Sequence, residues 1–574
     1  MKKYLLIILL LLPCSLWGMG VSPDSAKEIA DRFFSGFPGT RSNAGEVRLL
    51  WDGRTVTRGL ITDPPFYVYG RENGGFVIVA GEDCMHPILG YSDRNVFQVN
   101  GMPEHVRLWF EGLSDLVREA REKGLEPSQK TRSEWVQVRS EVHTPVVEFK
   151  TAQWDQRSPF NLFMPEINGQ RCLTGCGTTA TAILMRYHKW PEKGHGILPQ
   201  YSYQTDSETR VQPGHALGHS YNWENMPLTN VPAQNTDIAQ LMLDVGVMNQ
   251  CLFGIASSGT YTMMIPPGLG NYMDYDRRIC VNHRDEYGTD EWESLIRKEL
   301  DEGRPIIYQG YRPEDEGHLW VIDGYSADGY FSMNWGWGGY NNGYYLISPM
   351  EKTGESFSLN HAAIFPIKPA TSEDPFNIED YLLVYNAEAI WNYRKNDKLY
   401  FYLWIMNRHW GETGLISIRT ALTDKDGKPK QWLNEPTPVN IMGGRIQRIE
   451  GESILSDDLS PDDRIMVFIE KNGEWIPLKC REGAVIRFKS DLPIEEITTV
   501  TYNNSQKGKT LIIDSDTSSY IELHGRNQYG TTIQTSSMGR LELQNFDHYG
   551  SSLHITVRNL AETKEFDIIL RKSN

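Results

Sequence analysis

The spacing of apolar residues predicts both helices and strands in the first two thirds of the chain. In the segment SAKEIADRFFSGF, apolar side chains recur on one face of a helix: Ala26, Ile29, Ala30, Phe33 and Phe34. A strand-like block, PFYVYGRENGGFVIVAGEDCMHPILGYSD, and a second helical pattern, VRLWFEGLSDLVREAREKG, follow. Residues 146–367 alternate helical and strand patterns. These patterns predict a mixed α+β architecture up to residue 367.

Short strand patterns dominate the last 200 residues. Runs such as YLLVYNAEAIW, KLYFYLWIM and DRIMVFIE are separated by turn dipeptides, among them Asp426-Gly427 and Asn472-Gly473. We expect one or two β-sandwiches of immunoglobulin type, with a first domain over residues 375–490 and a second over 491–574.

Two polar or Pro-rich stretches mark further boundaries. The segment LEPSQKTRSEWVQVRSEVHTP, residues 125–145, is rich in Lys, Arg and Ser and is typical of an exposed linker that proteases can cut. The segment KPATSEDPFN, residues 368–377, is a second boundary. They divide the first part of the chain into domains over residues 20–140 and 141–367.

The N-terminus has the pattern of an export signal. Two lysines precede an almost wholly aliphatic run, Tyr4 to Leu12, which is too short to span a bilayer as a stable helix. We interpret residues 1–19 as a secretory signal peptide and expect a secreted protein, in the periplasm, at the cell surface or outside the cell. Lipidation of Cys14 is the alternative, which Pro13 before it disfavours.

Charge and cysteine content exclude some functions. The formal net charge of −17 argues against a nucleic-acid partner, because binding phosphates requires Lys and Arg. The six cysteines after the signal are scattered without the spacing of a disulfide framework. If residues 20–140 are removed, five remain, so at least one thiol stays free.

A nucleophile candidate lies in CLTGCGTTATAILMRYHKWP, residues 172–191. The apolar positions predict a buried helix from Gly177, so Cys176 stands at a helix N-terminus, where the dipole favours a thiolate. Small neighbours let another backbone approach, and the amide of Cys176 can help to hold an oxyanion. For Cys172 a buried structural thiol is expected. A zinc site from Cys172, Cys176 and His188 would need a fourth ligand, which no recognisable spacing supplies.

A base candidate lies 142 residues after the cysteine. His318 opens an apolar strand, and the hairpin that follows brings back Asn334 and Trp335 beside it. Either of these could fix the imidazole and leave its other nitrogen for the thiol, which is the arrangement of nucleophile, base and orienting group.

Together these residues resemble the streptopain (C10) family of secreted bacterial cysteine peptidases, which are papain-like in fold. The matching motifs are Gln153-Trp154-Asp155-Gln156, Pro159-Phe160-Asn161, Thr174-Gly175-Cys176, Gly317-His318, Val321-Ile322-Asp323-Gly324 and Asn334-Trp335-Gly336-Trp337-Gly338-Gly339. Residues 25–120 are similar to the family's propeptide. The resemblance covers residues 20–367 and implies a two-lobed papain-like catalytic domain after an α+β propeptide.

The resemblance also implies roles. Cys176 would be the nucleophile, His318 the general base and then acid, and Gln156 an oxyanion-hole donor, while Trp335 and Asn334 shield and orient His318. The protein would be a zymogen inhibited by its own propeptide, released by cutting near residues 130–146, and would cleave proteins without a cofactor. Substrates would carry an apolar side chain just before the residue at the cut.

Three positions depart from the family's pattern and leave specificity open. Leu319 follows the histidine where a small residue is usual, and Gly177-Thr178 replace a Val-Ala pair.

Two other readings of the sequence differ in chemistry. Cys176 and His318 could instead transfer acyl groups to amines, as in transglutaminase-like folds, with Asp323 as the orienting carboxylate. The chain could also be an inactive peptidase-fold binding protein whose C-terminal β-domains hold a cell-surface ligand. The joint presence of Cys176, His318 and Gln156 argues against the second reading.

Overall fold

The computed structural model describes most of the chain outside its N-terminus. The described residues are 20–36, 45–56, 63–72, 74–102, 104–136, 144–205, 208–311, 317–350, 360–371, 376–391, 398–455, 459–460, 462–481, 484–487, 498–505, 508–515, 519–526, 532–544, 552–558 and 563–569. The expected signal peptide, residues 1–19, lies outside them. The chain forms two compact units, one of residues 1–284 and 288–374 and the other of residues 285–287 and 375–574.

Seven α-helices occur among the described residues, all in the first unit. They are α1 (Pro23–Ser35), α2 (Glu104–Lys123), α3 (Gln129–Val136), α4 (Cys176–His188), α5 (Thr236–Met248), α6 (Ile265–Tyr272) and α7 (Thr289–Asp301). Short 3-10 turns cover Arg54–Val56, Trp223–Asn225, Thr262–Met264, Arg284–Glu286 and Ile378–Tyr381. None of the described helices is long and apolar enough to cross a membrane.

The strands of the first unit are β1 (Arg48–Trp51), β2 (Phe66–Gly70), β3 (Phe76–Ala80), β4 (Ile88–Ser92), β5 (Pro145–Glu148), β6 (Glu166–Ile167), β7 (Gln170–Arg171), β8 (Ile197–Leu198), β9 (Tyr201–Gln204), β10 (Thr209–Gln212), β11 (His215–Ala216), β12 (Cys280–His283), β13 (Ile306–Tyr311), β14 (His318–Ser326), β15 (Phe331–Asn334), β16 (Gly343–Tyr345) and β17 (Asn360–Phe365).

The strands of the second unit are β18 (Leu382–Ile390), β19 (Lys398–Asn407), β20 (Ile416–Thr423), β21 (Pro429–Trp432), β22 (Thr437–Val439), β23 (Ile446–Ile454), β24 (Arg464–Lys471), β25 (Glu474–Pro477), β26 (Lys479–Cys480), β27 (Ile486–Arg487), β28 (Thr499–Ser505), β29 (Gly508–Asp514), β30 (Tyr520–Arg526), β31 (Thr532–Met538), β32 (Arg540–Gln544), β33 (Ser552–Arg558) and β34 (Thr563–Ile569).

One sheet runs through the first unit and joins its N-terminal part to the rest. Its order is β1-β2-β3-β4-β16-β15-β14-β13-β17-β12, and β5 pairs with β14 at the side. The junction is the antiparallel pair of β4 and β16, in which Tyr91 lies opposite Tyr344 and Gly90 opposite Tyr345. The N-terminal part of the chain, residues 20–136, is therefore docked on the following domain by strand addition.

The N-terminal part has its own hydrophobic core, with contributions from outside it. All five apolar residues of the predicted α1 face are buried, which confirms that pattern. They pack with β2, β3 and β4 side chains, and the same cluster includes Tyr330 and Tyr344 of the domain that follows. Tyr91 lies with its ring centroid 5.1 Å from that of Tyr330 and 5.3 Å from that of Tyr344.

The expected linker over residues 125–145 is mostly exposed where it forms α3, but there it is a helix anchored to the rest of the N-terminal part rather than a free linker. The Trp135 indole donates to the Met85 carbonyl at 2.9 Å, and Glu134 lies 2.6 Å from the His86 imidazole. Thr131 on the same helix is buried. A single tryptophan gives this polar segment an apolar anchor that its overall composition conceals. Residues 137–143 lie outside the described part of the chain.

The core around α4 explains why that helix is apolar on nearly every side. Ten consecutive residues, Cys176 to Met185, are buried. The helix packs against β14, β13 and α5, and these elements share one hydrophobic cluster. The predicted hairpin after His318 is confirmed as β14 and β15, with Val321 opposite Asn334.

The second unit confirms the predicted β-sandwich character. The sheet β23-β19-β18-β26 and the sheet β21-β20-β24-β25, which also holds β22 and β27, share one apolar core. On β19, alternate residues from Leu399 to Ile405 point into it, as expected for a half-buried strand. The sheets β28-β29-β32 and β31-β30-β33-β34 share a second core.

Candidate active site

Cys176 is the first residue of α4 and its side chain is buried, with 7% of its surface exposed. The residue before it, Gly175, has φ +88° and no side-chain cap. A Cβ at Gly175 would lie 2.9 Å from the Ser258 carbonyl oxygen, so both the backbone angle and the close approach require glycine. The first amides of a helix lack intrahelical acceptors, and together with the helix dipole they favour an anion here.

His318 is the first residue of β14, the strand that packs on α4, and is partly exposed. A Cβ placed on Gly177 would lie 2.9 Å from Leu319 Cδ1. The residue after the cysteine therefore contacts the residue after the histidine. This contact brings together two segments that are 142 residues apart in the chain.

Gln156 lies beside the loop that leads into Cys176. Its side chain is largely buried. Its backbone amide donates to Asp155 Oδ1 at 2.5 Å, and its backbone carbonyl accepts from the Thr174 backbone amide at 3.1 Å. Ser258 holds the other side of this loop, because its hydroxyl donates to the Leu173 carbonyl at 2.9 Å. Two separate segments thus fix the approach to the cysteine.

Asn334 closes β15 with a fully engaged carboxamide. Its Nδ2 donates to Thr151 Oγ1 and to the Ala152 carbonyl, both at 2.9 Å, and its Oδ1 accepts from the Gly336 amide at 3.1 Å. Both amide hydrogens are therefore used, so any further contact of this side chain would be made through Oδ1. Its geometry fixes the local turn, and orientation of His318 by Asn334 stays a proposal.

Trp335 is buried and lies at the centre of an aromatic cluster. Its ring centroid is 5.0 Å from that of Trp320 on β14, and its indole donates to the Asn341 carbonyl at 3.0 Å. The next residue, Gly336, has φ +66°, and a Cβ there would lie 3.1 Å from Thr179 Cγ2 on α4. The turn after Trp335 therefore packs directly on the cysteine helix.

Residues of the N-terminal part reach the same turn, and sequence reasoning missed them. Gln98 and Asn341 make a pair of hydrogen bonds, Gln98 N to Asn341 Oδ1 at 2.7 Å and Asn341 Nδ2 to Gln98 O at 3.2 Å. Asn95 Nδ2 donates to the Asn342 carbonyl at 2.8 Å. The ring of Trp109 on α2 meets that of Trp335 edge to face, with centroids 6.1 Å apart.

The buried thiols near the site differ from Cys176 in their surroundings. Burial raises the pKa of the Cys251 thiol to about 12, and burial also raises the pKa of Cys172. Both thiols stay protonated at neutral pH, as expected of structural cysteines. Among the residues that the structure describes, no group of three or more His, Cys, Asp or Glu side chains is arranged to hold a metal ion.

The pKa of a carboxyl group on the histidine strand is also raised. Asp323 lies five residues into β14, and burial raises its pKa to about 6, while the hydroxyls of Thr151 and Ser332 act in the opposite direction. Its Oδ2 accepts a hydrogen bond from the Thr151 hydroxyl. This side chain is thus tied to the partner of Asn334.

The geometry suits nucleophilic acyl transfer. A thiol at a helix start, a histidine on the adjoining strand and backbone amides at the helix terminus supply a nucleophile, a base and donors for an oxyanion.

Two segments of the chain match known protein families. Residues 154–345, which contain Cys176 and His318, match the model of the Peptidase C10 family. Residues 19–116 match a model described as Spi protease inhibitor.

Named relatives agree with this match. Over 403 residues the chain is 30% identical to "Thiol protease/hemagglutinin PrtT" of Porphyromonas gingivalis, which covers 66% of this chain and 46% of the relative. The chain thus spans about half the length of that protein. It is 29% identical over 371 residues to a Streptopain of Streptococcus pyogenes, which covers 60% of this chain and 91% of the relative.

A solved structure of a prointerpain A fragment from Prevotella intermedia is 25% identical and covers 56% of this chain and 98% of the fragment, with a TM-score of 0.44. The two family matches and the named thiol proteases lead to one conclusion. Residues 154–345 match the peptidase C10, or streptopain, family of cysteine peptidases, and an inhibitor-type segment over residues 19–116 precedes them.

Proposed function

We propose that the protein is a secreted cysteine endopeptidase, made as a zymogen, that cleaves protein substrates through Cys176 and His318. The observation that carries this proposal is the contact between Gly177 and Leu319. It supports the view that the start of α4, at Cys176, lies close to the start of β14, at His318. Export rests on the signal-like pattern of residues 1–19. The proposed domains are the prodomain at residues 20–140 and the catalytic domain at residues 141–367.

The proposed reaction proceeds through an acyl-enzyme. His318 takes the proton of the Cys176 thiol, and the thiolate attacks the substrate carbonyl carbon to give a tetrahedral oxyanion. The backbone amide of Cys176 and the side chain of Gln156 hold this oxyanion. His318 then gives its proton to the leaving amine, so the peptide bond breaks and a thioester remains. A water molecule, deprotonated by His318, hydrolyses the thioester and frees the thiol.

Latency rests on the strand addition of β4 to β16. The prodomain also holds the turn of Trp335 through Asn95, Gln98 and Trp109, close to the groups that the reaction needs. We place the activating cut after α3, since this helix is anchored to the prodomain by Trp135. The cut then falls between Val136 and Thr144.

The deciding experiment compares three forms of residues 20–574: wild type, Cys176→Ala and Cys172→Ala. Each is incubated under reducing conditions while chain length and casein cleavage are followed. We expect wild type and Cys172→Ala to shorten from the N-terminal side and to digest casein, whereas Cys176→Ala does neither. The control is matched because Cys172 is a buried thiol in the same loop, four residues away.

If wild type stays at full length and leaves casein intact, even after limited tryptic cutting around α3, the peptidase proposal is wrong. The inactive binding protein would then be the better reading, with the β-sandwiches of residues 375–574 as the place to seek a surface ligand. Transfer of acyl groups to amines is a third outcome, detected as incorporation of a labelled amine into casein without cleavage.

A further inference from the structure

A chain of buried polar groups connects three segments around the candidate site. The Thr151 hydroxyl donates to Asp323 Oδ2 and accepts from Asn334 Nδ2, and Asn334 Oδ1 accepts from the Gly336 amide. The exposed fractions of Asp323, Thr151 and Asn334 are 6%, 8% and 2%. Buried hydrogen bonds of this kind restrict the side chains that make them to one geometry.

Burial of the Asp323 carboxyl group, at the end of this series of hydrogen bonds, is costly. Burial is the largest effect on the pKa of Asp323 and raises it, and the carboxylate of Glu148 on β5 acts in the same direction, while the hydroxyls of Thr151 and Ser332 lower it. Asp323 Oδ1 has no hydrogen-bond partner among the residues that the structure describes. A buried polar group that is only partly satisfied destabilises the fold, so packing alone does not account for an aspartate here.

Each of the three hydrogen-bonded residues lies on a segment that borders the site. Asp323 is on β14, the strand that begins with His318. Asn334 begins the turn whose Gly336 packs on Thr179 of α4, three residues after the cysteine. The hydrogen bonds therefore join the histidine strand to the turn that contacts the cysteine helix.

Thr151 comes from a different part of the chain, just after the expected prodomain junction. The strand β5 pairs with β14, with Glu148 opposite Gly324, and the Phe149 amide donates to the Asp323 carbonyl at 2.8 Å. A Cβ at Gly324 would lie 2.3 Å from the Val147 carbonyl oxygen, so glycine is required for this approach. Residues 144–152 are thus docked along the histidine strand.

We propose that Thr151 and Asp323 are positioning residues of the peptidase: Asp323 fixes the Thr151 hydroxyl, which orients the Asn334 carboxamide and holds the Trp335-Gly336 turn against α4. The inference rests on the proposed peptidase function. It follows that residues 144–152 belong to the catalytic apparatus and that maturation has to cut before them.

The test uses single variants of residues 20–574. Thr151→Val keeps the shape of the side chain and removes the hydroxyl, whereas Thr151→Ser restores a hydroxyl. Thr423→Val is the matched control, because it removes the hydrogen bond of a buried threonine hydroxyl to the Arg464 carbonyl, far along the chain in the β-sandwich. After activation, kcat and KM are measured on a peptide substrate, and the rate of Cys176 alkylation by iodoacetamide is followed from pH 5 to 9.

We expect Thr151→Val to lower kcat roughly ten- to a hundredfold with KM nearly unchanged, since misplacing a catalytic group acts on the transition state. Its alkylation profile should shift to higher pH. Thr151→Ser should recover most of the lost kcat, and Thr423→Val should match wild type in both assays. The N-terminus of the active enzyme should lie at or before Thr144.

Wild-type kcat in Thr151→Val, equal losses in the Val and Ser variants, or an active form that begins after Thr151 would each overturn the inference. Failure of the proposed function is a separate outcome, seen when wild type cleaves no substrate. In that event the alkylation profiles decide, because identical profiles for wild type and Thr151→Val overturn the positioning role.

Discussion

The pair of Gly177 and Leu319 offers a direct test of how the cysteine helix meets the histidine strand. Gly177 lies directly after Cys176, and Leu319 directly after His318. A Cβ at Gly177 would lie 2.9 Å from Leu319 Cδ1 and 3.1 Å from Thr260 Cβ. The leucine therefore fills part of the space that a side chain at position 177 would occupy.

The magnitudes follow from packing. Leu319 is buried in the core around α4, so Leu319→Ala should cost about 2–5 kcal/mol of unfolding free energy. Gly177→Ala forces a methyl group into an occupied space and should cost about 1–3 kcal/mol, offset by up to about 1 kcal/mol of helix propensity. In the double variant the methyl group enters the space left by the leucine. We expect the double variant to be about 2 kcal/mol more stable than the sum of the single effects.

The assay is amide hydrogen exchange of peptides from α4, which reports the local free energy of opening without requiring the whole chain to unfold in one step. All variants carry Cys176→Ala, so that cleavage of the chain does not interfere. If the two single effects add to within about 0.5 kcal/mol, the side chains do not share this space and the reasoning is wrong.

Three further predictions follow from groups around the site. Burial raises the pKa of Asp323 from 3.8 to about 6, so the stability that its protonated form contributes is lost as pH rises through this window. Between pH 4 and 7 the free energy of opening in Asp323→Asn should therefore rise by about 2 kcal/mol relative to that of wild type, measured by amide hydrogen exchange of β14 peptides in the Cys176→Ala background. An unchanged difference would refute this. Asn341→Asp removes the donor to the Gln98 carbonyl and should shorten the half-time of prodomain loss, read from gels; equal half-times would contradict the docking role. Trp135→Ala should speed tryptic cutting within α3 by freeing the helix, and an unchanged digestion rate would show that the indole is no anchor.

Local sequence patterns predicted the elements of the site but not the contacts between them. The helix that begins at Cys176, the strand that begins at His318 and the sandwich strands follow from apolar spacing, which is a property of neighbouring residues. Helix α3 was missed because its anchor is a single tryptophan, Trp135, which packs on the core of the N-terminal part and hydrogen-bonds the Met85 carbonyl.

Long-range partners could not be predicted for a different reason. Thr151 and Gln98 lie 183 and 243 residues from the asparagines that they bind, Asn334 and Asn341. The residues next to a polar side chain in sequence do not indicate such a distant partner, because the partner depends on the order of the strands in the sheet. That order places β4 beside β16 across about 250 residues of chain, and the hydrophobic pattern of either strand fits many neighbours equally well.

The shared tyrosine cluster bears on how reversible release of the proposed prodomain would be. Tyr330 and Tyr344 belong to the catalytic domain, yet they complete the core in which Tyr91 is buried. A prodomain that leaves takes neither tyrosine with it and gives up the strand partner of β4. Cutting the chain also turns a tethered contact into an encounter between two molecules, whose effective concentration is far lower. We therefore expect the freed fragment to expose part of its core and to rebind the enzyme more weakly than the tethered prodomain does.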